Sequence, residues 1–513
     1  MKTKVIQYMG GIFLSGIILL NPGCKKFLSE EDPSNLSPNN FYTIAEHAQT
    51  GLTAVYSDTR FIGNGAGIFS SNWQLFEAPT GTSTTETAQN SDLNNLYGLI
   101  YDPNTAHITN IWAGVYKVIA QANLLLEKVP AINMDEAQKK SVLGQAQFLR
   151  AWAYFYAVRL WGDIPLITNS QTPASENFYP QRASKEDVYN QIVADLTAAE
   201  ASGLPWTDVS GRVTMAAVKS ELAIVYLTMA GQPLNKGQSH YTLAAAKAKE
   251  VIDYANANPG AINLFTTYNQ LHDETQNNRV EHIFQIQYNT LVAGNPMDNM
   301  YPNFKAVTYQ GQSGTGSTVP TRSFYNSFEA GDLRAKNQDG FFYTSYFTNG
   351  DGAPFELGAP YIFKHFNRRA NGTSGVPGTR NNNLNMPVIR FAEVLLVYAE
   401  AQNEVGQNAD AYAALKRIRD RAQLTTPATY TQAAFREAVW RERWHELCYE
   451  QITWFDMVRL QKVYNETTNG FDNFVGHRNL SSNQTLQAKH LLFPLPRLET
   501  QNNPNLQPQN PGY

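Results

Sequence analysis

Cysteine is nearly absent: the 513 residues include two, Cys24 and Cys448. Two cysteines cannot build a disulfide scaffold or a cysteine-rich zinc site, whose ligands come in closely spaced pairs. Charge is also sparse. Acidic and basic residues make up 16% of the chain, against about 25% in an average globular domain. The net charge of −4 supplies no basic face for phosphate backbones, so no nucleic-acid partner is expected. Beyond the first twenty residues, no apolar run approaches the ~20 residues that cross a bilayer as a helix. No GxSxG, P-loop or dinucleotide fingerprint stands in a fitting context, and no cofactor is expected. Aromatic residues, by contrast, are abundant at 12%. Such a payload excludes a disordered chain, and the length allows a large core.

The N-terminus has the build of an address. Lys2 and Lys4 precede a short apolar stretch from Met9 to Leu20. It is shorter than a membrane span and has the pattern of a signal peptide. Asn21, Pro22 and Gly23 lead to Cys24. A small residue before a cysteine resembles a bacterial lipoprotein cleavage site, although Asn21 stands where such signals usually carry leucine. The expectation is a signal peptide over residues 1–23 and acylation of Cys24, with chains that anchor through the burial of each CH2. The polar, proline-bearing stretch 24–40 reads as a tether. A single domain is expected over 41–513.

Apolar residues at three- and four-residue spacing predict helices near 111–128, 137–161, 185–201, 214–230, 243–256, 390–405, 409–422 and 432–449. Gly162 with Pro165 beyond it marks one stop, and Ser184 followed by Glu186 and Asp187 marks one start. Short loops separate the helices into pairs, with small residues at Ala216, Ala217 and Ala223 where helices approach. The fold class is therefore mostly α, with tetratricopeptide-like helix pairs. Residues 258–386 differ, being rich in Gly, Asn, Ser, Thr and aromatics. They read as a long irregular insertion, with one alternating strand at 281–288.

Several ordered motifs fit the patterns of one protein family. Phe148, Leu149, Arg150 and Ala151 with Tyr154, then Gly162, Asp163, Pro165 and Leu166, fit one family pattern. Arg390, Phe391 and Glu393 with Tyr398, Ala399, Glu400 and Ala401 fit a second, and Arg417 to Ala422 fit the next helix. Glu442, Arg443, Glu446, Leu447, Glu450, Phe455, Asp456 and Arg459 fit a long signature. Phe493 to Pro496, and Asn503 through Tyr513, fit the finish. With these motifs the chain resembles, nearly end to end, the SusD/RagB family of outer-membrane nutrient-binding lipoproteins of Bacteroidetes. The resemblance implies a SusD-like fold and a cell-surface lipoprotein that captures an oligosaccharide and passes it to a SusC-like TonB-dependent transporter. It implies no catalysis. Some relatives take up peptides, so a peptide or glycopeptide ligand is the alternative.

Sugars offer CH faces to aromatic rings and hydroxyl edges to polar side chains. Aromatics on polar loops are therefore the binding candidates, and the resemblance places the ligand loops in the same two stretches. From 72–101 the candidates are Asn72, Trp73, Asn95, Tyr97 and Tyr101; from 299–347 they are Tyr301, Tyr309, Phe342 and Tyr343. Trp112, Trp152, Tyr154, Trp440 and Trp444 stand at helical spacing and are expected in the core. Glu442, Glu446 and Glu450 stand four apart, which places them on one helix face. Carboxylates pointing the same way cannot flank a glycosidic bond, which argues against a glycoside hydrolase. With Arg419 and Arg421 they read instead as a partly buried ion-pair network between adjacent helices. His445 and Glu446 begin a zinc-protease motif, but Tyr449 stands where the second histidine belongs, so no metal is expected.

Overall fold

The structure is a computed structural model and describes residues 41–67, 70–87, 90–297, 315–346, 355–367, 382–406 and 408–513. Cys24, the tether, Tyr301 and Tyr309 lie outside the described residues. The first run of helices is α1 (Ala45–Asp58), α2 (Ser91–Tyr97), α3 (Ala106–Lys128), α4 (Glu136–Trp161), α5 (Lys185–Glu200), α6 (Met215–Ala230) and α7 (Gln238–Ala257). A short α8 (Arg322–Asn326) sits in the insertion. The second run is α9 (Phe391–Glu404), α10 (Asn408–Arg421), α11 (Gln432–Glu446), α12 (Thr453–Leu460) and α13 (Arg497–Asn502).

Side-chain caps set the helix starts. Asp135, Ser184, Thr214 and Thr431 accept the backbone N–H of Gln138, Asp187, Ala217 and Ala434, at 2.9 to 3.2 Å. Each satisfies one of the orphan donors of a first turn. Gly162, at φ 72°, ends α4 in a left-handed conformation that favours glycine. Consecutive helices pack pairwise from α3 through α7, α7 meets α9, and α9 meets α10 and α11. Helix α6 is buried on nearly every side, Lys219 and Glu221 included, because it lies between its neighbours. On α3, a Cβ at position 114 would stand 2.2 Å from the Phe61 ring, so Gly114 permits that close approach.

One apolar cluster runs from Ala48 on α1 to Leu506 near the C-terminus. The closing motif joins it by docking on the end of α4. Phe493 N donates to Leu160 O at 2.8 Å, Trp161 Nε1 donates to Pro494 O at 3.1 Å, and Asn510 Nδ2 donates to Trp161 O at 3.1 Å. Trp112, Trp152, Tyr154 and Trp444 lie in the core, and Trp440 is half-buried against Phe471.

The strands among the described residues form two-stranded antiparallel sheets. β1 (Ser83–Thr84) pairs with β5 (Val319–Pro320), β2 (Ile164–Pro165) with β3 (Arg182–Ala183), and β4 (His282–Ile286) with β8 (Met386–Arg390). β6 (Phe342–Tyr346) pairs with β7 (Phe355–Ile362), and β9 (Lys462–Asn465) with β10 (Gly470–Asn473). The strand expected near 281–288 is β4. All five of its residues are buried, instead of alternating, because helices and insertion cover both faces. A satellite cluster of Val319, Tyr343, Tyr361, Phe363 and Phe366 underlies the insertion.

Five helices lie outside the expected windows: α1, α2, α8, α12 and α13. Helix α1 starts at Ile44 without a side-chain cap, α2 lies in a stretch read as loop, and α12 is a short segment of 8 residues. The expected helix over 432–449 ends at Glu446. Beyond it Tyr449 and Gln451 adopt positive φ, 63° and 66°. Glu450 therefore follows in a turn, and the expected row of three carboxylates on one helix face holds for Glu442 and Glu446 alone.

Candidate functional site

The two stretches singled out for binding meet in space. β1 pairs with β5, Glu86 N donates to Gly316 O at 2.8 Å, and Gln74 Nε2 donates to Thr318 Oγ1 at 2.7 Å. Tyr97 OH donates to Ser317 O at 3.1 Å, and Tyr361 OH donates to Glu86 Oε1 at 2.8 Å. The described aromatic candidates offer no outward face, and Tyr97 belongs to the joint itself. Trp73 is 0% exposed and sits edge-on to His365. Tyr97, Tyr101, Phe342 and Tyr343 are buried as well. Tyr101 packs on Phe493 and Tyr513, Phe342 on Tyr325 and Phe328, and Tyr343 on Tyr361. In this conformation none of the five can stack on a sugar. Their hydrophobicity won over their loop-like sequence surroundings: large rings on short connecting segments are drawn inward wherever two segments must be held together. Asn95 is half-buried on α2.

Asn72 is placed differently. Although buried itself, it lies in the floor of an open cleft of about 560 Å³, lined also by Asp58, Arg60, Asn64, Asn110 and Lys117. That volume lies within the usual range of ligand sites, ~300–1,000 Å³. Each polar group is held in place. Asn72 Nδ2 donates to Phe61 O at 2.8 Å, and its Oδ1 accepts from Asn110 Nδ2 at 3.1 Å. Arg60 Nε donates to Gln287 O, and Nη1 to Ser57 Oγ, both at 2.9 Å. Lys117 Nζ lies 2.9 Å from Asp58 Oδ1. Ala293 closes one side, at the foot of a turn in which Asn289 N donates to Ala293 O at 2.9 Å. The tip of that turn shows Leu291 and Val292 to solvent, 91% and 80% exposed.

Asp58, Arg60, Asn64, Asn110 and Lys117 escaped the sequence reading. A signal was available in α3. Asn110, Ala113, Gly114 and Lys117 follow an i, i+3, i+4, i+7 pattern, a polar and small stripe on one side of an otherwise apolar helix.

The charged cluster of α11 lies in the interior. Glu442 meets Arg334 at 2.5 Å and Arg419 at 3.0 Å. Glu446 meets Arg421 at 2.6 Å and Arg390 at 3.2 Å. Glu450 receives both Nε and Nη2 of Arg390 at 2.8 Å, and Lys364 Nζ at 2.6 Å. Glu281 joins Arg390 to Arg421. The last carbonyls of the helix are used too: Lys364 Nζ donates to Glu446 O at 2.7 Å and to Cys448 O at 2.9 Å. Arg443 pairs with Asp456, and Arg459 forks onto Glu400. Arg417 stands apart from the carboxylates and contacts Asn256 and Asn263. Burial raises the Glu77 carboxyl to about 8, and it accepts from Gln451 N at 2.7 Å beside this cluster. Burial likewise pushes the Cys448 thiol up to about 12, so it is not poised as a nucleophile. His445 contacts Ser327 and packs on Phe328. Among the described residues, no group of His, Cys, Asp or Glu is arranged to hold a metal ion.

Stacked helix pairs, an insertion tied across them by short strands, and an open polar cleft beside the tie define an α-helical repeat architecture. The chain belongs to the SusD family. Residues 333–513 match the model described as SusD family, and residues 26–227 match one described as starch-binding associating with outer membrane. A SusD-like protein P2 of Formosa agariphila is 30% identical over 433 residues, 79% of this chain and 81% of that protein. The crystal structure of a SusD superfamily protein from Parabacteroides distasonis has 33% identity and a TM-score of 0.84, covering 93% of this chain and all of that one. A laminarin-binding SusD-like protein shares the fold, with a TM-score of 0.71, 24% identity, and coverage of 92% of this chain and all of that one. No helix among the described residues is long and apolar enough to cross a membrane.

Proposed function

We propose that this protein is a cell-surface glycan receptor. Anchored through an acylated Cys24, it captures an oligosaccharide and delivers it to a partner SusC-like TonB-dependent transporter. The observation that carries the reading is the cleft floored by Asn72. Amide, guanidinium and ammonium groups from α3 and the segment after α1 converge there, with Arg60, Asn72, Asn110 and Lys117 each fixed by a partner within the protein. Preset donors and acceptors suit sugar hydroxyls, and the aliphatic tip at Leu291 and Val292 can cover a CH face. The naming of one family model for starch and of one structural neighbour for laminarin supports a polysaccharide as ligand class.

Binding without hydrolysis is the reading the site favours. Among the cleft's described lining residues Asp58 is the one carboxylate, and Lys117 neutralises it. A glycosidase needs two, placed across the bond. Glu442, Glu446 and Glu450 are committed to buried cations.

The test is affinity electrophoresis of the chain without residues 1–24 through starch, laminarin and other polysaccharides, with assay of released reducing ends. Retardation by one polymer without hydrolysis is expected. Asn110→Ala and Arg60→Gln should each weaken it about 3- to 10-fold, the value of one or two hydrogen bonds. Retardation by no glycan, or retention unchanged in both variants, would overturn this assignment.

A further inference from the structure

A larger cavity, of about 860 Å³, opens where the end of α4 meets α12 and the C-terminal segment, and it shares no lining residue with the cleft. Arg159, in the last turn of α4, lines it. Its guanidinium is stacked between two rings, 3.6 Å from the centroids of both Phe155 and Phe455. Nε donates to Phe155 O at 2.9 Å. Nη1 and Nη2 have no hydrogen-bond or carboxylate partner among the described residues, yet they are not among the sealed polar atoms. With both faces covered by rings and Nε used, the guanidinium can receive a ligand only at its Nη edge.

The other charges around this cavity are mostly committed. Arg459 is forked onto Glu400 and also bonds Asp456. Arg182 is tied to Pro508 O and Asn510 Oδ1, at 2.8 and 2.7 Å. Asp163, the one carboxylate on the wall, accepts the backbone N–H of Lys185 at 2.8 Å. That leaves the ammonium of Lys185 and the Nη edge of Arg159, whose charge the buried Glu221 and Glu393 balance from behind without a hydrogen bond. Arg159 is half-buried, so its Nη donors remain open to the cavity. The rest of the wall is largely apolar, with Val458, Leu491, Leu492 and Pro233.

We propose that this cavity is a second ligand site, which takes a small organic acid. The carboxylate lies in plane on the Nη edge of Arg159, the geometry in which the planar fork pairs with two oxygens. The apolar body rests on Val458, Leu491 and Leu492, and Lys185 adds attraction at the mouth. An acidic sugar shares the carboxylate but lacks the apolar body.

Isothermal titration of the purified chain with phenylacetate, phenylacetamide and glucuronate tests this. Phenylacetate is expected to bind one to one, with the neutral amide weaker by at least about tenfold, as removal of a charge-assisted pair predicts. Arg159→Gln should weaken phenylacetate by a similar factor, and Arg159→Lys by less. Leu492→Trp, which fills the cavity and leaves Arg159 in place, should abolish binding; retained glycan retardation checks that each variant is folded. Tighter binding of glucuronate would support the acid site and reassign its occupant to an acidic sugar. Equal binding of acid and amide, unchanged affinity in Arg159→Gln, or no binding by any of the three would overturn the proposal.

Discussion

At the end of α11, Arg334, Arg390, Arg421 and Lys364 face Glu281, Glu442, Glu446 and Glu450 with almost no solvent between them. Beside α3, Asp58 and Lys117 meet in the open, and the lysine side chain is 65% exposed. The same residue types do different work in the two places. In the interior, each of these four carboxylates has at least two cations, the carbonyls of Glu446 and Cys448 take further donors from Lys364 and Arg390, and Arg421 Nε is sealed in without a partner. Such a junction locks helix α11, β8 and the insertion in one arrangement. It leaves no group open to a ligand. At the cleft, Asp58, Asn110 and Lys117 each keep one protein partner and part of their surface toward water, which suits a hydroxyl-rich ligand. Counting charges in the sequence therefore points away from the proposed site: the densest cluster is architecture, and the sparse, half-satisfied one is the region we propose for binding.

The comparison breaks first at Arg390. Arg390→Met removes the cation shared by Glu281, Glu446 and Glu450 and leaves buried carboxylates undercompensated. A loss of about 3–5 kcal/mol in stability is expected, because removing one member of a buried pair strands the others. Urea denaturation followed by far-UV circular dichroism measures it. A loss below about 1 kcal/mol, the range of exposed pairs, would mean that the junction is not the lock described above.

The outline of the fold was legible because its signals are local. Ser184 before Glu186 and Asp187, and Gly162 at the end of α4, mark helix ends through caps that act within one turn. The stripe Val188, Ile192, Leu196 and Ala199 marks the buried side of α5. The site was less legible because exposure is decided by tertiary packing. Trp73 and Tyr97 stand among asparagines and serines, as a sugar platform would. Whether such a ring faces water depends on Thr318 and His365, more than 200 positions away. Meeting of the two stretches was foreseeable from the family pattern; which side chains the meeting consumes was not. Glu450 shows the same limit in the charged cluster. Its spacing continued the helix, and the turn with positive φ at Tyr449 and Gln451 is imposed by Lys364, His365 and Glu77 from elsewhere in the chain.

A second prediction sharpens the contrast through pH and is smaller, since one carboxylate carries it. Burial alone would raise the Glu450 carboxyl, but Arg390 and Lys364 overcome burial and bring it from 4.5 down to about 2. The folded value lies below the unfolded one, so the contribution is complete above about 4.5 and fades as pH falls toward about 2. Glu77 runs the other way: burial raises it to about 8, and its contribution fades as pH rises through that value. The difference between the native chain and Glu450→Gln isolates the first effect. In urea titrations at pH 7 and pH 3, the native chain should lose more stability on acidification than Glu450→Gln. Equal losses would mean that Glu450 is not held ionised by the junction.

The smallest stability effect belongs to the cleft. Lys117→Met removes an exposed ion pair, and a change below about 1 kcal/mol is expected, because solvent already screens the lysine. The ligand side should respond instead. Without the ammonium, Asp58 loses its fixed partner and the polar wall its outermost donor, so retardation on the polymer the chain binds should fall while the unfolding midpoint stays in place. Arg390→Met and Lys117→Met thus form a pair with opposite profiles, stability without direct contact in one case and contact without stability in the other. If Lys117→Met instead unfolded the protein and left glycan retention intact in the surviving fraction, the assignment of open charge to binding would fail at the residue where it is most exposed.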